Sequence, residues 1–256
     1  MEGMKRAIIA ISNRKGGVGK STTAHALGSG LSLKGNKVLM IDLDSQCNLS
    51  QSVGTDPRLP GAGQVLRGEA KASEAVQTVT FGLDIIQGGA DLARADLDIS
   101  ETGKEYRLKE KLEKIISFYD FVIIDTPPAL GILTINALTA ADRLVIPAQA
   151  DYFSLKALDD LQDTVETIRK YTNAGLMTEG ILLTRHNART IFTRELDELI
   201  TETALKFNTK VFKARIREAV AIKEAQAMHE SIFTYSPKAK VTKDYQAFID
   251  ELISSP

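Results

Sequence analysis

A glycine-rich loop between an apolar run and a helical pattern constrains the fold of this chain more than any other feature. The apolar run covers residues 7–12 and the helical pattern covers residues 21–33. The loop reads Lys15-Gly16-Gly17-Val18-Gly19-Lys20-Ser21-Thr22. Its glycines allow the backbone N–H groups to surround a phosphate, and the following helix adds its positive dipole end. The loop therefore predicts a phosphate site where a strand passes into a helix.

The polar side chains of this loop suit a nucleoside triphosphate. Lys20 is placed to reach the β and γ phosphates, the Ser21 hydroxyl to ligate magnesium, and Thr22 to meet the α phosphate. Arg14 stands where the strict phosphate-loop pattern has its first glycine. The position of the loop between strand and helix nevertheless favours nucleotide binding over a plain glycine-rich turn.

Apolar runs alternate with helical patterns along the rest of the chain. Several runs are continuous in Val, Ile and Leu, as in parallel strands that are buried on both faces. The predicted strands are 7–12, 37–42, 83–87, 121–125, 143–147 and 180–184, with a short edge strand at 210–212. The predicted helices are 21–33, 105–118, 133–140, 155–171, 193–207, 218–228 and 243–253. This alternation predicts a doubly wound α/β fold, with 54–80 as loop and short helices.

Composition favours a single cytoplasmic domain spanning residues 1–256. A chain of 256 residues with 43% hydrophobic content can bury one substantial core. The lone Cys47 excludes a disulfide framework, and no apolar stretch approaches the roughly 18 residues of a membrane span. Only six residues precede the first predicted strand, so we expect neither a signal peptide nor an N-terminal helix-turn-helix domain.

Three aspartates follow or end predicted strands. Asp42 and Asp44 come at the end of the second strand, and Asp125 ends the strand at 121–125. Ligands of open parallel sheets bind at the carboxyl ends of the strands, so all three carboxylates are expected to lie toward the nucleotide. Asp125 is expected to hold magnesium, as aspartates at this position of phosphate-loop proteins do.

Several segments together resemble the ParA/Soj/MinD ATPases, P-loop NTPases with a deviant Walker A motif. The loop resembles their K-G-G-x-G-K-[ST] motif, residues 38–46 their switch I strand, and residues 121–128 their Walker B and switch II segment. Residues 216–245 resemble the C-terminal part of Soj-like partition ATPases. The resemblance extends over about residues 5–250. Ser45 and the pair His186-Asn187 depart from the usual Soj-like residues.

The resemblance implies roles for these residues in a Mg²⁺-dependent ATPase. The residues at 15–22 would bind ATP, with Lys15 and Lys20 acting in catalysis. Asp44 would orient the attacking water and, with Ser21 and Asp125, belong to the metal site. Lys15 would reach across an ATP-driven homodimer to the partner's nucleotide, neutralising charge as an arginine finger does.

The charge pattern predicts where such an ATPase would bind DNA. The net charge is −1, but Arg185 to Lys243 carries 12 Lys and Arg against seven Asp and Glu. In Soj-like proteins, basic residues of these regions contact DNA phosphates, which gives sequence-independent, salt-sensitive binding. The candidates for one such surface are Arg189, Lys213, Arg215, Arg217 and Lys223. Solvated helix faces and local ion pairs are the alternative explanation for these charges.

Two functions of different class fit these patterns. The first is a nucleoid-associated partition ATPase whose dimer binds double-stranded DNA non-specifically and whose slow hydrolysis a ParB-like partner stimulates. The second is an orphan ParA-like ATP switch that positions a protein complex or regulates replication. The acidic C-terminal segment disfavours the membrane-binding helix of MinD-like proteins, and one cysteine excludes an iron–sulfur relative. An ATP-dependent biosynthetic enzyme would need an added substrate-binding segment, which the sequence does not indicate.

Overall fold

One eight-stranded sheet forms the centre of the protein. The computed structural model describes residues 6–99, 101–186 and 191–254. The strand order is β3-β4-β2-β5-β1-β6-β7-β8, and all neighbours are parallel except the antiparallel pair β3 and β4. The strands are β1 Ala7–Ile11, β2 Val38–Asp42, β3 Val76–Thr80, β4 Leu83–Ile86, β5 Phe121–Asp125, β6 Arg143–Ala148, β7 Met177–Thr184 and β8 Val211–Ile216.

Helices cover both faces of this sheet. They are α1 Lys20–Leu33, α2 Asn48–Val53, α3 Ala62–Arg67, α4 Ala72–Ala75, α5 Ala95–Asp98, α6 Arg107–Leu112, α7 Ile132–Ala140, α8 Tyr152–Tyr171, α9 Ile191–Lys206, α10 Val220–Ala227, α11 Ile232–Tyr235 and α12 Lys240–Ile253. Short 3₁₀ turns lie at Ala90–Arg94, Lys104–Tyr106 and Ile116–Phe118. The predicted doubly wound α/β fold is confirmed.

Residues 38–41 of strand β2 form a continuous apolar run. Its alternate residues enter two different cores: Val38 and Met40 pack with α1 and α12 on one face, whereas Leu39 and Ile41 pack with α7 on the other. All five residues of β2 are buried, as are all five of β5. A parallel strand that is covered by helices on both faces requires such a run.

The parallel register fixes the position of the acidic strand ends. Asp42 of β2 pairs with Asp125 of β5, and Asp125 pairs with Ile11 of β1. The last residues of three adjacent strands therefore meet at one edge of the sheet. The glycine-rich loop begins just beyond the end of β1 at this same edge, which is where open α/β sheets bind ligands.

Three predicted elements differ from the structure. The segment at 54–80 contains strand β3, which joins the sheet antiparallel to β4 through a turn at Gly82, whose φ is +76°. The predicted helix 105–118 is shortened to α6 between two 3₁₀ turns. The Asn136 side chain bonds the backbone there, accepting from Leu108 N at 2.9 Å and donating to Lys104 O at 2.9 Å. The predicted edge strand at 210–212 is the longer β8.

None of the helices at 6–99, 101–186 and 191–254 is both long enough and apolar enough to cross a bilayer.

Candidate functional site

The loop between β1 and α1 surrounds a cavity of about 660 Å³. Two glycines take left-handed backbone angles that other residues rarely adopt: φ is +74° at Gly17 and +88° at Gly19. Gly19 is the N-cap of α1 and has no side chain with which to cap it, so the first amides of the helix stay available to a ligand. The loop and the helix start therefore form an anion site of the kind expected from the sequence.

The cavity brings most of the predicted binding residues together. Asp44 and Pro128 line it from the loops that follow β2 and β5. From the glycine-rich loop, the lining residues are Gly16, Gly17, Gly19, Lys20, Ser21 and Thr22. Val18 is turned away and fully buried, and Thr184 Oγ1 donates to its carbonyl at 2.7 Å. Val18 thus anchors the loop to the end of β7.

Lys20 and Asp125 form the buried, charged base of the site. Asp125 is fully buried, and no hydrogen bond of ordinary length and angle reaches its carboxylate oxygens among the described residues, although the Ser21 hydroxyl lies close enough to lower its pKa. Burial raises the pKa of Asp125 well above its ordinary value, and the charge of Asp42 adds to this, while Ser21 and Lys20 act in the opposite direction. Burial lowers the pKa of Lys20, against the charges of Asp125 and Asp44. A buried carboxylate in this environment fits a cation ligand.

Asp42 and Asp44 have different environments although they are two residues apart. Asp42 is fully buried and accepts hydrogen bonds from Asp44 N at 3.0 Å, Ser50 N at 2.9 Å and Ser50 Oγ at 2.7 Å. Burial raises the pKa of Asp42, and these hydrogen bonds partly oppose that rise. Asp44 lies beyond the end of β2 and accepts from Gln46 N at 2.9 Å. Asp42 therefore holds the loop that presents Asp44 to the cavity.

Lys15 points away from the cavity that the rest of its loop surrounds. Its ammonium forms an ion pair with Asp151, the N-cap residue of α8, and donates to Gln149 Oε1 at 3.3 Å and to Ser154 Oγ at 3.5 Å. Its backbone N–H donates to Asn13 Oδ1 at 2.9 Å. The preceding residue, Arg14, pairs with Asp160 of the same helix. The entrance of the loop is thus bound to α8.

Comparison with known proteins assigns this site to a family. A family model described as an AAA domain matches residues 6–178. The sporulation initiation inhibitor protein Soj of Bacillus subtilis is 38% identical over 252 residues, covering 97% of this chain and 98% of Soj. The chromosome partitioning protein ParA of Caulobacter vibrioides is 36% identical over 253 residues, covering 96% of this chain and 94% of that protein. The chain belongs to the ParA/Soj family of partition ATPases.

The same fold also occurs in a structure solved with nucleotide. Cobyrinic acid a,c-diamide synthase from Mycobacterium smegmatis, with a bound ATP analogue and magnesium, superposes with a TM-score of 0.82 at 31% identity. The match covers 96% of this chain and 93% of the synthase chain. The ParA/Soj chain described here is therefore a P-loop NTPase in architecture as well as in sequence.

The structure adds residues to this ParA/Soj site that the sequence patterns did not identify. Gln149 Nε2 donates to Gly17 O at 3.2 Å, and Asn13 Nδ2 donates to Pro147 O at 2.7 Å. Gln226 Nε2 of α10 donates to Thr22 Oγ1 at 3.1 Å. Asn13 stands two residues before Lys15, so its position beside the loop could have indicated it. Asp151, Gln149 and Gln226 are distant in sequence and carry no motif.

The residues predicted to contact DNA do not all lie on one element of the structure. Lys213 and Arg215 lie on the edge strand β8, and Arg217 directly follows it. Lys213 is exposed, whereas Arg215 is partly buried and Arg217 forms a two-pronged ion pair with Asp244 at 2.6 and 2.8 Å. Lys223 of α10 and Arg217 line a smaller cavity of about 140 Å³. Arg189 lies outside the described residues.

Proposed function

We propose that this protein is an ATP-dependent DNA-partition ATPase in which ATP and Mg²⁺ drive the formation of a sandwich homodimer. The observation that carries the proposal is the divergence of the two lysines in one loop. Lys20 lines the cavity, whereas the Lys15 ammonium lies outside it against α8. Lys20 therefore serves the nucleotide of its own chain, and Lys15 is free to serve that of a partner once Asp151 releases it.

The residues at the base of the cavity fit magnesium. Asp125 offers two buried oxygens, and the Ser21 hydroxyl lies beside them. A serine hydroxyl and an aspartate, helped by phosphate oxygens, form the usual Mg²⁺ environment of P-loop proteins. When bound, the ion would neutralise charge on the β and γ phosphates. The burial that raises the pKa of Asp125 makes such a charge partner favourable.

Asp44 is the residue best placed to orient the attacking water. It lies on the loop that Asp42 and Ser50 hold, and it lines the same cavity as Lys20 and Ser21. Its remaining carboxylate oxygen can accept from a water near the γ phosphate or from a water of the metal. Lys15 of the partner would then balance the charge that develops on the phosphate.

Binding to the nucleoid would use the basic residues of β8 and Arg217, which follows it. Lys213 is exposed there, with Arg215 and Arg217 two and four residues further along. Contacts from these side chains to phosphates require no base sequence and weaken with salt. A dimer doubles the number of such contacts, so DNA affinity would depend on ATP. A ParB-like partner would end this state by raising the slow rate of hydrolysis.

A paired assay tests the proposal. ATP turnover is measured with and without Mg²⁺, duplex DNA and a ParB-like protein, and the molar mass is followed by light scattering in ATP and in ADP. We expect an ATP-dependent dimer, DNA retention that needs ATP, and slow turnover that DNA and partner together raise. DNA retention that is the same in ATP and ADP would exclude partition. An ATP-driven dimer without DNA retention would indicate the alternative, an ATP switch that positions a protein complex.

A further inference from the structure

A second cavity, of about 1020 Å³, adjoins the nucleotide cavity. It lies between α2, α3 and the segment that follows β4, and we call it the α2/α3 pocket. It shares Gln51 and His229 with the lining of the nucleotide cavity, but none of the residues of the glycine-rich loop. The residues that define the pocket are Ser50, Leu59, Gln64, Arg67, Gln87 and Asp91. The proposed steps of ATP binding and hydrolysis involve neither its glutamines nor its arginine.

Gln87 presents a hydrogen-bond acceptor to the α2/α3 pocket. Only 5% of this residue is exposed, and it lines the pocket. Its Nε2 donates to Asp56 O at 2.9 Å and to Leu59 O at 2.7 Å. Because both partners are carbonyl oxygens, the amide nitrogen must face them, and Oε1 is left without a donor in the described ranges. A ligand that supplies a donor to this oxygen would be stabilised.

Gln64 presents the complementary donor. Its Oε1 accepts from Gly61 N at 2.7 Å, which fixes the amide so that the N–H groups of Nε2 point elsewhere. Nε2 has no acceptor among the described residues. The backbone brings the two glutamines together, since Ala62 N, next to Gly61, donates to Gln87 O at 2.8 Å. The pocket therefore offers one amide donor and one amide acceptor from adjoining parts of its wall.

The charge of Arg67 is already neutralised by carboxylates. Its Nε and Nη2 donate to Glu69 at 2.8 and 2.9 Å, and Nη2 also donates to Asp91 at 2.8 Å. The Cys47 thiol in the same lining has its pKa raised to about 11, first by burial and then by nearby aspartates, so the local potential is negative. An anionic ligand is therefore disfavoured. Arg67 Nη1, which has no acceptor in the described part of the chain, can still donate to a neutral carbonyl.

The α2/α3 pocket is connected to the residues that hold Asp44. Gly88 lines the pocket, and its N–H donates to Ser50 Oγ at 2.9 Å, while the same hydroxyl donates to Asp42 at 2.7 Å. A Cβ at position 88 would lie 2.9 Å from Asp44 O, so the segment after β4 packs directly on the loop that carries Asp44. A molecule bound beside Gln87 therefore contacts the support of the residue proposed to orient water.

We propose that the α2/α3 pocket binds a small uncharged molecule through a carboxamide or lactam group. The carbonyl oxygen of this group accepts from Gln64 Nε2 and Arg67 Nη1, and its N–H donates to Gln87 Oε1. The body of the molecule packs against Leu59, an apolar side chain that lines the pocket and is 42% exposed. A few placed polar groups beside apolar surface are typical of small-molecule sites.

Four matched compounds test the chemistry of the pocket. Benzamide carries a donor and an acceptor, acetophenone only the acceptor, benzoate a negative charge and benzylamine a positive charge on the same ring. Each is titrated into the isotopically labelled full chain, and the NMR shifts of the backbone amides are recorded. ADP and Mg²⁺ are present at saturation so that the nucleotide cavity is filled.

Two matched variants of the chain test the role of the donor. Gln64→Glu keeps the acceptor for Gly61 N and removes the free N–H groups. Gln246→Glu makes the same exchange on α12, outside the pocket. If Gln64→Glu does not fold, Ala90→Trp takes its place, since this substitution puts a bulky ring into the pocket from an exposed position.

We expect benzamide to bind with a Kd in about the millimolar range and to shift the amides of Gly61, Gly88 and Gly89, which line the pocket. The other three compounds should bind at least about fivefold more weakly, because each leaves a polar group of the pocket unpaired or adds a charge. Gln64→Glu should weaken benzamide binding by a similar factor, and Ala90→Trp should block it. Gln246→Glu should leave it unchanged.

Three results would overturn the inference. The first is the absence of saturable benzamide binding, and the second is binding of acetophenone, benzoate or benzylamine as tightly as benzamide. The third is equal benzamide binding by Gln64→Glu and the unmodified chain. Shifts confined to the glycine-rich loop at 15–22 would place the compound in the nucleotide cavity and would also contradict the proposed site.

Discussion

The ammonium of Lys15 and the carboxylate of Asp151 form an ion pair that joins the glycine-rich loop to the start of α8. Asp151 also caps that helix, since its Oδ1 accepts from Ser154 N at 2.9 Å. Lys15 lowers the pKa of Asp151, against the effect of burial. In the single chain, the lysine proposed to act on a partner's nucleotide is therefore already engaged. Dimerisation must exchange this contact for one with phosphate.

Asp151→Asn tests this exchange. Asparagine keeps the N-cap hydrogen bond and removes the charge that holds Lys15. The pair is partly exposed, so its loss is worth at most about 1 kcal/mol, and we expect half-maximal dimerisation at about two- to fivefold lower ATP concentration. Light scattering across an ATP titration measures this. The control is Asp159→Asn, which lies on the same helix as Asp151 and removes an exposed ion pair with Lys206 of α9; it should not shift the midpoint.

Asp125→Asn separates stability from ligand binding. The carboxylate is fully buried near Asp42, and both burial and the charge of Asp42 raise its pKa, so the charged form is costly at neutral pH. Without nucleotide, the variant should have a free energy of unfolding about 1–3 kcal/mol higher. With ATP present, adding Mg²⁺ should no longer raise the free energy of unfolding of the variant. The unmodified chain should likewise lose this stabilisation when EDTA removes Mg²⁺. Urea denaturation measures both effects, and a destabilised nucleotide-free variant would contradict the account.

His25 makes stability depend on pH in the weakly acidic range. It is buried on α1, and because the Ser52 hydroxyl donates to Leu49 O, the His25 Nδ1–H donates to Ser52 Oγ at 3.2 Å. Burial lowers the pKa of His25 from 6.5 to about 4, so the unfolded chain binds the proton more tightly. Stability is therefore full above pH 6.5 and falls as pH falls toward 4, by roughly 3 kcal/mol.

Comparison with His25→Gln isolates this contribution from the titration of carboxylates. Thermal unfolding of both proteins from neutral to weakly acidic pH should show a steeper loss in the unmodified chain between pH 6.5 and about 4. Parallel curves for the two proteins would show that His25 does not titrate in that window.

The substitution Lys213→Ala tests whether β8 contributes to the proposed DNA-binding surface. If its exposed ammonium contacts a phosphate, Lys213→Ala should weaken ATP-dependent DNA binding and lower the slope of log affinity against log salt by about one per protomer. Lys114→Ala removes an exposed lysine of the segment between α6 and β5 and should leave the slope unchanged. A salt slope that is insensitive to Lys213 would exclude it from the interface.

Local sequence patterns predicted the fold and most of the residues that line the cavity, because both depend on patterns among residues that are close together in the sequence. A continuous apolar run such as residues 121–124 is buried on both faces, and a glycine-rich loop that follows a strand needs no distant residue to be recognised. The parallel register then places Asp42 beside Asp125. These features follow from elementary rules of sheets and phosphate loops.

Contacts between distant segments were not predictable from those patterns. Gln149 and Asp151 lie more than 130 residues from Lys15, and only the adjacency of β1 and β6 brings them together. Strand β3 was missed because it is only partly buried, so its apolar alternation is weak. The turn at Lys104–Tyr106 is held by Asn136, whose side chain donates to Lys104 O at 2.9 Å, a tertiary contact that no motif indicates.

A mixed-variant assay tests most directly whether Lys15 acts in trans. Lys15→Ala retains Asp44, and Asp44→Asn retains Lys15, so each variant alone should bind ATP and lack normal turnover. A mixed dimer contains one competent site, in which the Lys15→Ala protomer supplies Asp44 and the Asp44→Asn protomer supplies the lysine. We expect turnover to reappear on mixing and to peak near equal amounts. A mixture as inactive as its components, with mixed dimers demonstrated by co-purification of differently tagged protomers, would contradict the account.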